Sequence, residues 1–153
     1  MPTVERRITV HRRPADVLDY LADFGHTEQW DPGTLSCTRQ DDGPIAVGSR
    51  WTNVSRFRGR ATWLDYRLAR RDPDRLVFIG RNTTVTAIDD ITVLPAGGST
   101  VVHYRADLRL NGLARLAGPF LRPAFERLAD EVALRLPQAL AAGDPAAGDP
   151  VGR

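Results

Sequence analysis

The apolar residues at the start of the chain follow two different periods, one typical of a strand and one typical of a helix. Over residues 3–11 they alternate one by one, with Ile8 and Val10 on the same side, which indicates a half-buried strand. From Pro14 to Phe24 the apolar residues recur at every third or fourth position, which predicts a short amphipathic helix with a proline in its first turn. Gly25 is expected to end this helix.

The stretch from Leu35 to Leu110 consists of strand-like segments. Short turns rich in Gly, Pro, Asp and Asn separate segments in which apolar and polar residues alternate. Consecutive strands joined by short turns are typical of an antiparallel meander. The predicted strands cover residues 35–39, 48–57, 60–69, 75–80, 83–94 and 100–110.

Beyond the last strand the spacing changes to about 3.6 residues, which predicts one long helix from about Leu113 to Leu140. Its apolar residues form a broad face, as a helix packed on a sheet requires. Gly118-Pro119 and Pro123 are expected to break or kink its first part, and Pro137 its end. The uninterrupted portion is therefore predicted over residues 123–136.

The order of these elements predicts an α+β domain. A sheet followed by a single long helix must bury its apolar face on that helix, and a strongly curved sheet then leaves an internal cavity between them. The 153 residues suit one domain, which we assign to residues 1–142. Residues 143–153 repeat Gly-Asp-Pro, have little to bury and are predicted to form a disordered tail.

The composition removes several kinds of chemistry. All 21 residues counted as Lys and Arg are arginine, which excludes a Schiff-base lysine and the lysine of a phosphate-binding loop. The single cysteine, Cys37, excludes an internal disulfide, and a half-buried structural thiol is expected. The three histidines lack the spacing of metal ligands, and no serine lies in a Gly-x-Ser-x-Gly motif. We therefore predict neither a metal nor a cofactor.

Charge and hydropathy bear on the partners of the protein. The net charge is only +2, and the densest basic cluster comprises Arg6, Arg7, Arg12 and Arg13. Such a cluster could bind nucleic acid or a lipid head group, but we favour a solvated strand face and predict no nucleic-acid partner. No apolar run approaches the roughly 18 residues of a membrane span, and the N-terminal residues lack the apolar core of a signal peptide. We expect a cytoplasmic protein without stable membrane insertion.

Several segments of the chain, taken in this order, resemble the START-like (SRPBCC) superfamily, in particular its polyketide cyclase/dehydrase and lipid-transfer group. The match covers about residues 3–142. It implies a helix-grip fold, in which a curved, mostly antiparallel sheet surrounds a long C-terminal helix and encloses a deep cavity. It also implies binding of lipids, polyketides, hormones or quinone-like molecules. The segments that carry it are residues 13–24, 30–33, 47–51, 89–93, 97–100 and 102–108.

Three side chains are candidates for proton transfer. The alternation in the last two strands places Asp89 and Tyr104 on apolar faces, and a desolvated carboxyl group at Asp89 would have a raised pKa and could act as a general acid or base. A carboxylate at the rim of the sheet, paired with an arginine, is the alternative. His26 follows the first helix, near the expected cavity mouth, where a histidine could titrate near neutral pH.

The candidate ligand-binding residues are aromatic, apolar and small polar side chains expected to face the cavity. On residues 48–57 two aromatic and two small polar side chains share one face, which would suit a flat ligand carrying oxygen atoms, although a half-solvated strand fits equally well. The full set is Trp30, Trp51, Asn53, Ser55, Tyr66, Phe78, Ile91, Phe120 and Phe125.

Three functions remain open on the sequence alone. The first is binding or transport of a hydrophobic small molecule, which we favour because the expected interior has few ionisable groups. The second is a cyclase resembling polyketide aromatase/cyclases, in which orientation of a poly-β-ketone supplies much of the rate. The third is a protein-partner module that uses an outer sheet face containing Arg105 and Arg109. A homodimer through an edge strand is a further possibility.

Overall fold

The computed structural model describes residues 2–57 and 59–142, where seven strands form one antiparallel sheet. The predicted tail at residues 143–153 lies outside this described part. The strands are β1 (Thr3–Val10), β2 (Thr34–Arg39), β3 (Arg50–Phe57), β4 (Arg60–Asp72), β5 (Arg75–Arg81), β6 (Val85–Ala96) and β7 (Ser99–Leu110).

The strands follow the order β1-β7-β6-β5-β4-β3-β2 across the sheet. Strands β2 to β7 pair with their neighbours in sequence, and β1 closes the order by pairing with β7. This confirms the predicted meander, and the curved sheet with a long C-terminal helix confirms the helix-grip fold. β1 and β2 form the two edges of the sheet.

Two short helices connect β1 to β2. Helix α1 (Pro14–Ala22) is followed by a 3₁₀ turn over Phe24–His26 and by α2 (Thr27–Trp30). The prediction that the first helix reaches Phe24 and ends at Gly25 was wrong. Asp23 adopts an extended conformation, which ends α1 at Ala22. Its carboxylate accepts a hydrogen bond from the Gly25 N–H and thereby caps the 3₁₀ turn that follows.

The C-terminal helix is longer than the prolines in its sequence suggested. After a 3₁₀ segment over Gly112–Ala117, helix α3 runs without interruption from Gly118 to Ala142, with Pro123 and Pro137 inside it. The predicted limits of the uninterrupted portion, residues 123–136, were therefore wrong, whereas the long C-terminal helix itself is confirmed. Each interior proline removes one backbone hydrogen bond. Packing of the helix against the sheet compensates for this loss, through Ala129, Val132, Leu136 and Leu140.

The alternation of side chains in the strands matches the prediction. In β7 Val102, Tyr104 and Ala106 are buried, whereas Arg105 and Arg109 are exposed. The buried faces of β1 and of β3 to β7 turn towards α3 and α1 and form one core with them.

Arg6 ties the edge strand β1 to helix α3. Its guanidinium group lies 3.1 Å from a carboxylate oxygen of Glu126 and 2.9 Å from one of Asp130, and it also donates to the Glu126 carbonyl oxygen. In the same basic cluster Arg13 pairs with Asp16. At least these two arginines are thus engaged with acidic neighbours.

Candidate functional site

A cavity of about 260 Å³ lies between the concave face of the sheet and α3. Most of its wall is apolar, because the inward faces of β3, β4, β6 and β7 meet the apolar face of the helix there. The helix contributes Leu121, Phe125, Leu128, Ala129 and Val132.

Six aromatic rings line this cavity. Phe24 and Tyr66 have ring centroids 4.3 Å apart, and Trp30 meets Tyr104 edge to face at 5.8 Å. Phe57 and Phe125 complete the set. Such walls present large apolar faces and offer few places for a polar group to bind.

Asp89 and Tyr104 form a polar pair in this wall. Asp89 on β6 lies opposite Ala106 on β7, so Tyr104 is its diagonal neighbour on the same face. The Tyr104 hydroxyl donates a hydrogen bond of 2.8 Å to Asp89 Oδ1, and only 7% of Asp89 is exposed. The structure thus places both residues on the face that the alternation predicted.

The environment of Asp89 favours its neutral form. Burial raises the pKa of its carboxyl group to about 7, and the charges of Asp31 and Asp107 act in the same direction, while the Tyr104 hydrogen bond acts against it. Burial, followed by the charge of Asp89, keeps the pKa of the Tyr104 hydroxyl well above its ordinary value. Near neutral pH the pair can therefore hold or release one proton at Asp89.

Asp31 is a cavity residue that the sequence reasoning missed. It follows α2 and lines the same cavity as Asp89. Its two oxygens accept hydrogen bonds from the Gly33 N–H at 3.0 Å and from the Thr34 hydroxyl at 2.9 Å, and burial raises its pKa. In the sequence Asp31 precedes Pro32-Gly33, a combination typical of turns, which gives no indication that its carboxylate lines a cavity. The turn is real, but its aspartate also faces the ligand space.

A glycine on the neighbouring strand makes room for the Tyr66 ring. Tyr66 on β4 pairs with Gly80 on β5, and a Cβ atom at Gly80 would lie 2.5 Å from two ring carbons of Tyr66. Any larger residue at position 80 would push the ring away from the sheet and into the cavity. Gly80 is thus a packing residue whose role is visible only in three dimensions.

Six of the predicted site residues line the cavity and six do not. Trp51, Asn53, Phe78 and Ile91 are buried in the core without being among the cavity-lining residues, and Phe120 is 76% exposed. Their predicted placement in the cavity wall was wrong, because alternation identifies a face of a strand but not the depth along it, and because Phe120 in the first turn of α3 points away from the sheet. The residues found in the wall are Trp30, Ser55, Tyr66, Asp89, Tyr104 and Phe125.

His26, the sixth, is held by contacts of its own. Its ring stacks on Tyr20 at a centroid distance of 4.2 Å, and its Nδ1 lies 2.6 Å from the Tyr20 carbonyl oxygen. His26 is not among the cavity-lining residues. These contacts give it a part in anchoring the α1–α2 connection, away from the Asp89–Tyr104 pair.

Two buried side chains of β3 donate hydrogen bonds to residues that lie before and after α2. Asn53 donates to the Thr34 hydroxyl at 3.1 Å, and the Trp51 indole N–H donates to Asp23 at 3.2 Å. Trp30 differs from them, because its Nε1 is buried without a hydrogen-bond partner among residues 2–57 and 59–142. One donor in the cavity wall is therefore unsatisfied by the protein.

Two other kinds of site are absent from the described part of the chain. No group of three or more His, Cys, Asp or Glu side chains there is arranged to hold a metal ion. No helix among those residues combines the length and apolar character needed to cross a bilayer.

A curved antiparallel sheet that surrounds one long helix, with an apolar cavity between them, defines a START-like ligand-binding fold. The sequence matches the family described as polyketide cyclase / dehydrase and lipid transport over residues 1–141, and the chain belongs to this family. Family and cavity together support binding of a hydrophobic ligand in general. No curated protein sequence is significantly similar to the chain.

Solved structures with the same fold share little sequence with this protein. The protein TTHA0849 from Thermus thermophilus has a TM-score of 0.78 and 15% identity, covering 94% of this chain and 100% of that one. A START superfamily protein from Mycobacterium smegmatis has a TM-score of 0.73 and 14% identity, with coverages of 92% and 97%. The ZhuI aromatase/cyclase from Streptomyces sp. R1128 has a TM-score of 0.69 and 14% identity, covering 90% of each chain.

Proposed function

We propose that this protein binds, and thereby carries, a hydrophobic small molecule such as a lipid, a polyketide or a quinone-like compound in the cavity between the sheet and α3. The observation that carries the proposal is an apolar cavity of about 260 Å³ with the hydrogen-bonded pair Asp89–Tyr104 in its wall. Apolar walls supply affinity, and a small number of convergent polar groups fix the orientation of the ligand.

The energetics of Asp89 support a role in binding over a role in stability. No arginine or histidine among the described residues pairs with its carboxylate, and its pKa is raised mainly by burial. Ionising such a group in the empty protein costs free energy. A carboxyl group that weakens the fold at neutral pH is better explained by a ligand that it contacts than by packing.

The first experiment is native mass spectrometry of the protein purified gently from its own host, followed by extraction and identification of anything bound. We expect a stoichiometric hydrophobic molecule. The matched variants are Ala87→Phe, which fills the cavity from β6, and Ile88→Phe, which adds the same ring on the opposite face of that strand. Ala87→Phe is expected to lose the molecule and Ile88→Phe to retain it.

Two results would contradict this proposal. One is an empty wild-type protein that also shows no thermal shift with a panel of lipids, quinones and polyketides. The other is a molecule that remains bound in the folded Ala87→Phe variant. An empty protein would leave the partner-binding hypothesis, which depends on Arg105 and Arg109, as the one to test next.

A polyketide cyclase is the second candidate, and the Asp89–Tyr104 pair is the observation that favours it. An Asp89 carboxylate could accept a proton from a methylene carbon between two carbonyl groups. The resulting enolate carbon would bond to a second carbonyl carbon of the same chain, and the alkoxide formed there would take up a proton to become a hydroxyl group. The proton held by Asp89 balances this step.

Asp89→Asn separates the two functions. The variant keeps the shape of the side chain and an acceptor for Tyr104, but it cannot exchange the proton. A cyclase should lose product formation by about 10²–10⁴-fold while still binding its polyketide. A carrier should show only a change in affinity, of about 1–3 kcal/mol where a buried polar partner is lost.

A further inference from the structure

We propose that the cavity selects a hydrophobic ligand with a positively charged group, an alkylammonium above all, and that this group contacts Asp89 among the aromatic rings. The inference rests on the proposed function, because it presumes that the cavity takes up a small molecule. It adds the charge of the ligand, which neither the family nor the fold specifies.

The ionisable groups that face the cavity are mostly acidic. Among the described residues, Asp31, Asp89 and Asp107 line it, together with one arginine, Arg56, which is exposed near the end of β3. In the same described part of the chain, α3 and β1 contribute only apolar side chains to this wall, and the other titratable groups in it are Tyr66 and Tyr104. The electrostatic environment inside therefore favours a cation over an anion.

All three carboxyl groups accept a hydrogen bond from the protein, but two of them are turned to partners away from the centre of the cavity. Both oxygens of Asp31 accept hydrogen bonds within its own turn. Asp107 accepts a hydrogen bond from the Thr3 hydroxyl through Oδ1, and the same oxygen lies 3.7 Å from Arg105, with which Asp107 shares the outer face of β7. Among the three, Asp89 alone combines a position on the inward face of the sheet with an oxygen that no donor of the described residues reaches.

The open oxygen of Asp89 is Oδ2. The Tyr104 hydroxyl occupies Oδ1, and no donor among residues 2–57 and 59–142 reaches Oδ2. Only 7% of Asp89 is exposed, but its Oδ2 is not fully enclosed by the protein and retains some accessible surface. An unpartnered acceptor therefore faces the ligand space, where an ammonium N–H could satisfy it with a charge-assisted hydrogen bond.

The aromatic rings in the same cavity wall suit the same kind of group. Tyr104 carries the hydrogen bond to Asp89, Trp30 packs edge to face on Tyr104, and Phe24 and Tyr66 lie against each other in the same wall. Aromatic faces attract cations, and the attraction grows when the cation is removed from water. A ligand carboxylate would instead meet the negative ends of both Asp31 and Asp89.

Three probes with the same alkyl chain test the charge preference: octylamine, 1-octanol and octanoate, each titrated by calorimetry at pH 8. Octylamine is protonated at this pH, since an alkylamine has a pKa of about 10.4, as lysine has. We expect octylammonium to bind at least about tenfold more tightly than octanol, which is a difference of about 1.4 kcal/mol. Octanoate is expected to bind most weakly.

The pH dependence gives a second readout on the wild-type protein. With a pKa of about 7, the ionised fraction of Asp89 falls about tenfold between pH 8 and pH 6, whereas the probe stays charged. Octylammonium should therefore bind about tenfold more weakly at pH 6. Octanol, which needs no charge on Asp89, should change little over this range.

Asp89→Asn and Asp90→Asn form a matched pair of variants. The two aspartates are neighbours on β6, but Asp90 points to the outer face and pairs with Arg75 at 2.6 Å. In Asp89→Asn the preference for octylammonium over octanol should disappear, and in Asp90→Asn it should persist. Equal binding of the two probes to wild-type protein would overturn the cation proposal while supporting a hydrophobic cavity. If none of the three binds and the purified protein carries nothing, both proposals fail.

Discussion

At the scale of the residue, Asp89 couples the function of the cavity to the stability of the fold. Its carboxyl group ionises near pH 3.8 in the unfolded chain and near pH 7 in the folded one. Between these values the folded protein binds more protons than the unfolded chain. The free energy of unfolding therefore decreases as the pH rises from about 4 to about 7, and this contribution is constant above that range.

We predict that Asp89→Asn removes this decrease, because asparagine keeps an acceptor for Tyr104 and cannot ionise. The free energies of unfolding of the variant and the wild type should be similar near pH 4. At pH 8 the variant should be more stable, by up to about 4 kcal/mol. Urea denaturation at pH 4, 6 and 8 measures the difference.

The control for this prediction is Asp90→Asn, which removes the ion pair with Arg75 and should leave the protein no more stable at pH 8 than the wild type. A constant difference between Asp89→Asn and wild type at all three pH values would contradict the raised pKa. The same outcome would weaken the argument that burial of Asp89 serves a ligand.

At the scale of the element, helix α3 has one buried face, and the two ends of that face have different surroundings. Leu136 is 1% exposed and packs in the core, whereas Leu134, two residues earlier, is 68% exposed. The first turns of the helix carry Phe125 and Leu128 to the cavity, and the later turns seal the core beneath it. The N-terminal half of the buried face thus lines the cavity, and the C-terminal half packs in the hydrophobic core.

We predict that Leu136→Ala and Leu134→Ala differ strongly in stability, although they remove the same atoms from the same helix. Truncation at Leu136 leaves a void in the core and should lower the free energy of unfolding by about 2–5 kcal/mol. Truncation at Leu134 should change it by less than about 0.5 kcal/mol. Urea or thermal denaturation of both variants provides the comparison, and similar losses would contradict the assigned helix orientation.

The prolines of α3 also belong to this scale. Local preference alone predicts that a helix ends at Pro123 and Pro137. In this protein the helix continues through both prolines, because the sheet buries its apolar face. The energy of that packing arises from residues distant in sequence. A rule that uses only neighbouring residues cannot include it.

At the scale of the whole molecule, the single cysteine reports how often the fold opens. Cys37 lies on the edge strand β2, but it is buried at 6% exposure, and burial raises the pKa of its thiol to about 11. Both properties suppress the thiolate that reacts with disulfide reagents. These surroundings agree with the expected structural thiol, although Cys37 is almost fully buried and not half-buried as predicted.

We predict that Cys37 in the native protein reacts with a disulfide reagent at pH 8 at least about 100-fold more slowly than in urea, because reaction requires opening of the sheet edge. A ligand that binds only the folded state should slow the reaction further in proportion to its saturation. Rapid modification of the native protein would show that β2 separates from β3 far more readily than its pairing implies.

The sequence by itself determined the order and type of the elements. Alternation by two residues marked the strands, the period of 3.6 marked the helices, and Gly, Pro and Asp marked the turns between them, because these preferences depend on neighbours along the chain. The same alternation placed Asp89, Tyr104 and Tyr66 on the inward face of the sheet. The resemblance built on these segments gave the family.

Only the tertiary structure decided which inward residues meet the cavity. Trp51, Phe78 and Ile91 share the inward face but are covered by α1 and its neighbours, whereas Ser55 and Asp89 lie where the curved sheet and α3 separate. Asp31 enters the site because its turn folds over the cavity, and Gly80 matters because a ring on another strand crosses it. Curvature and helix placement result from packing of the whole chain, and no local pattern records them.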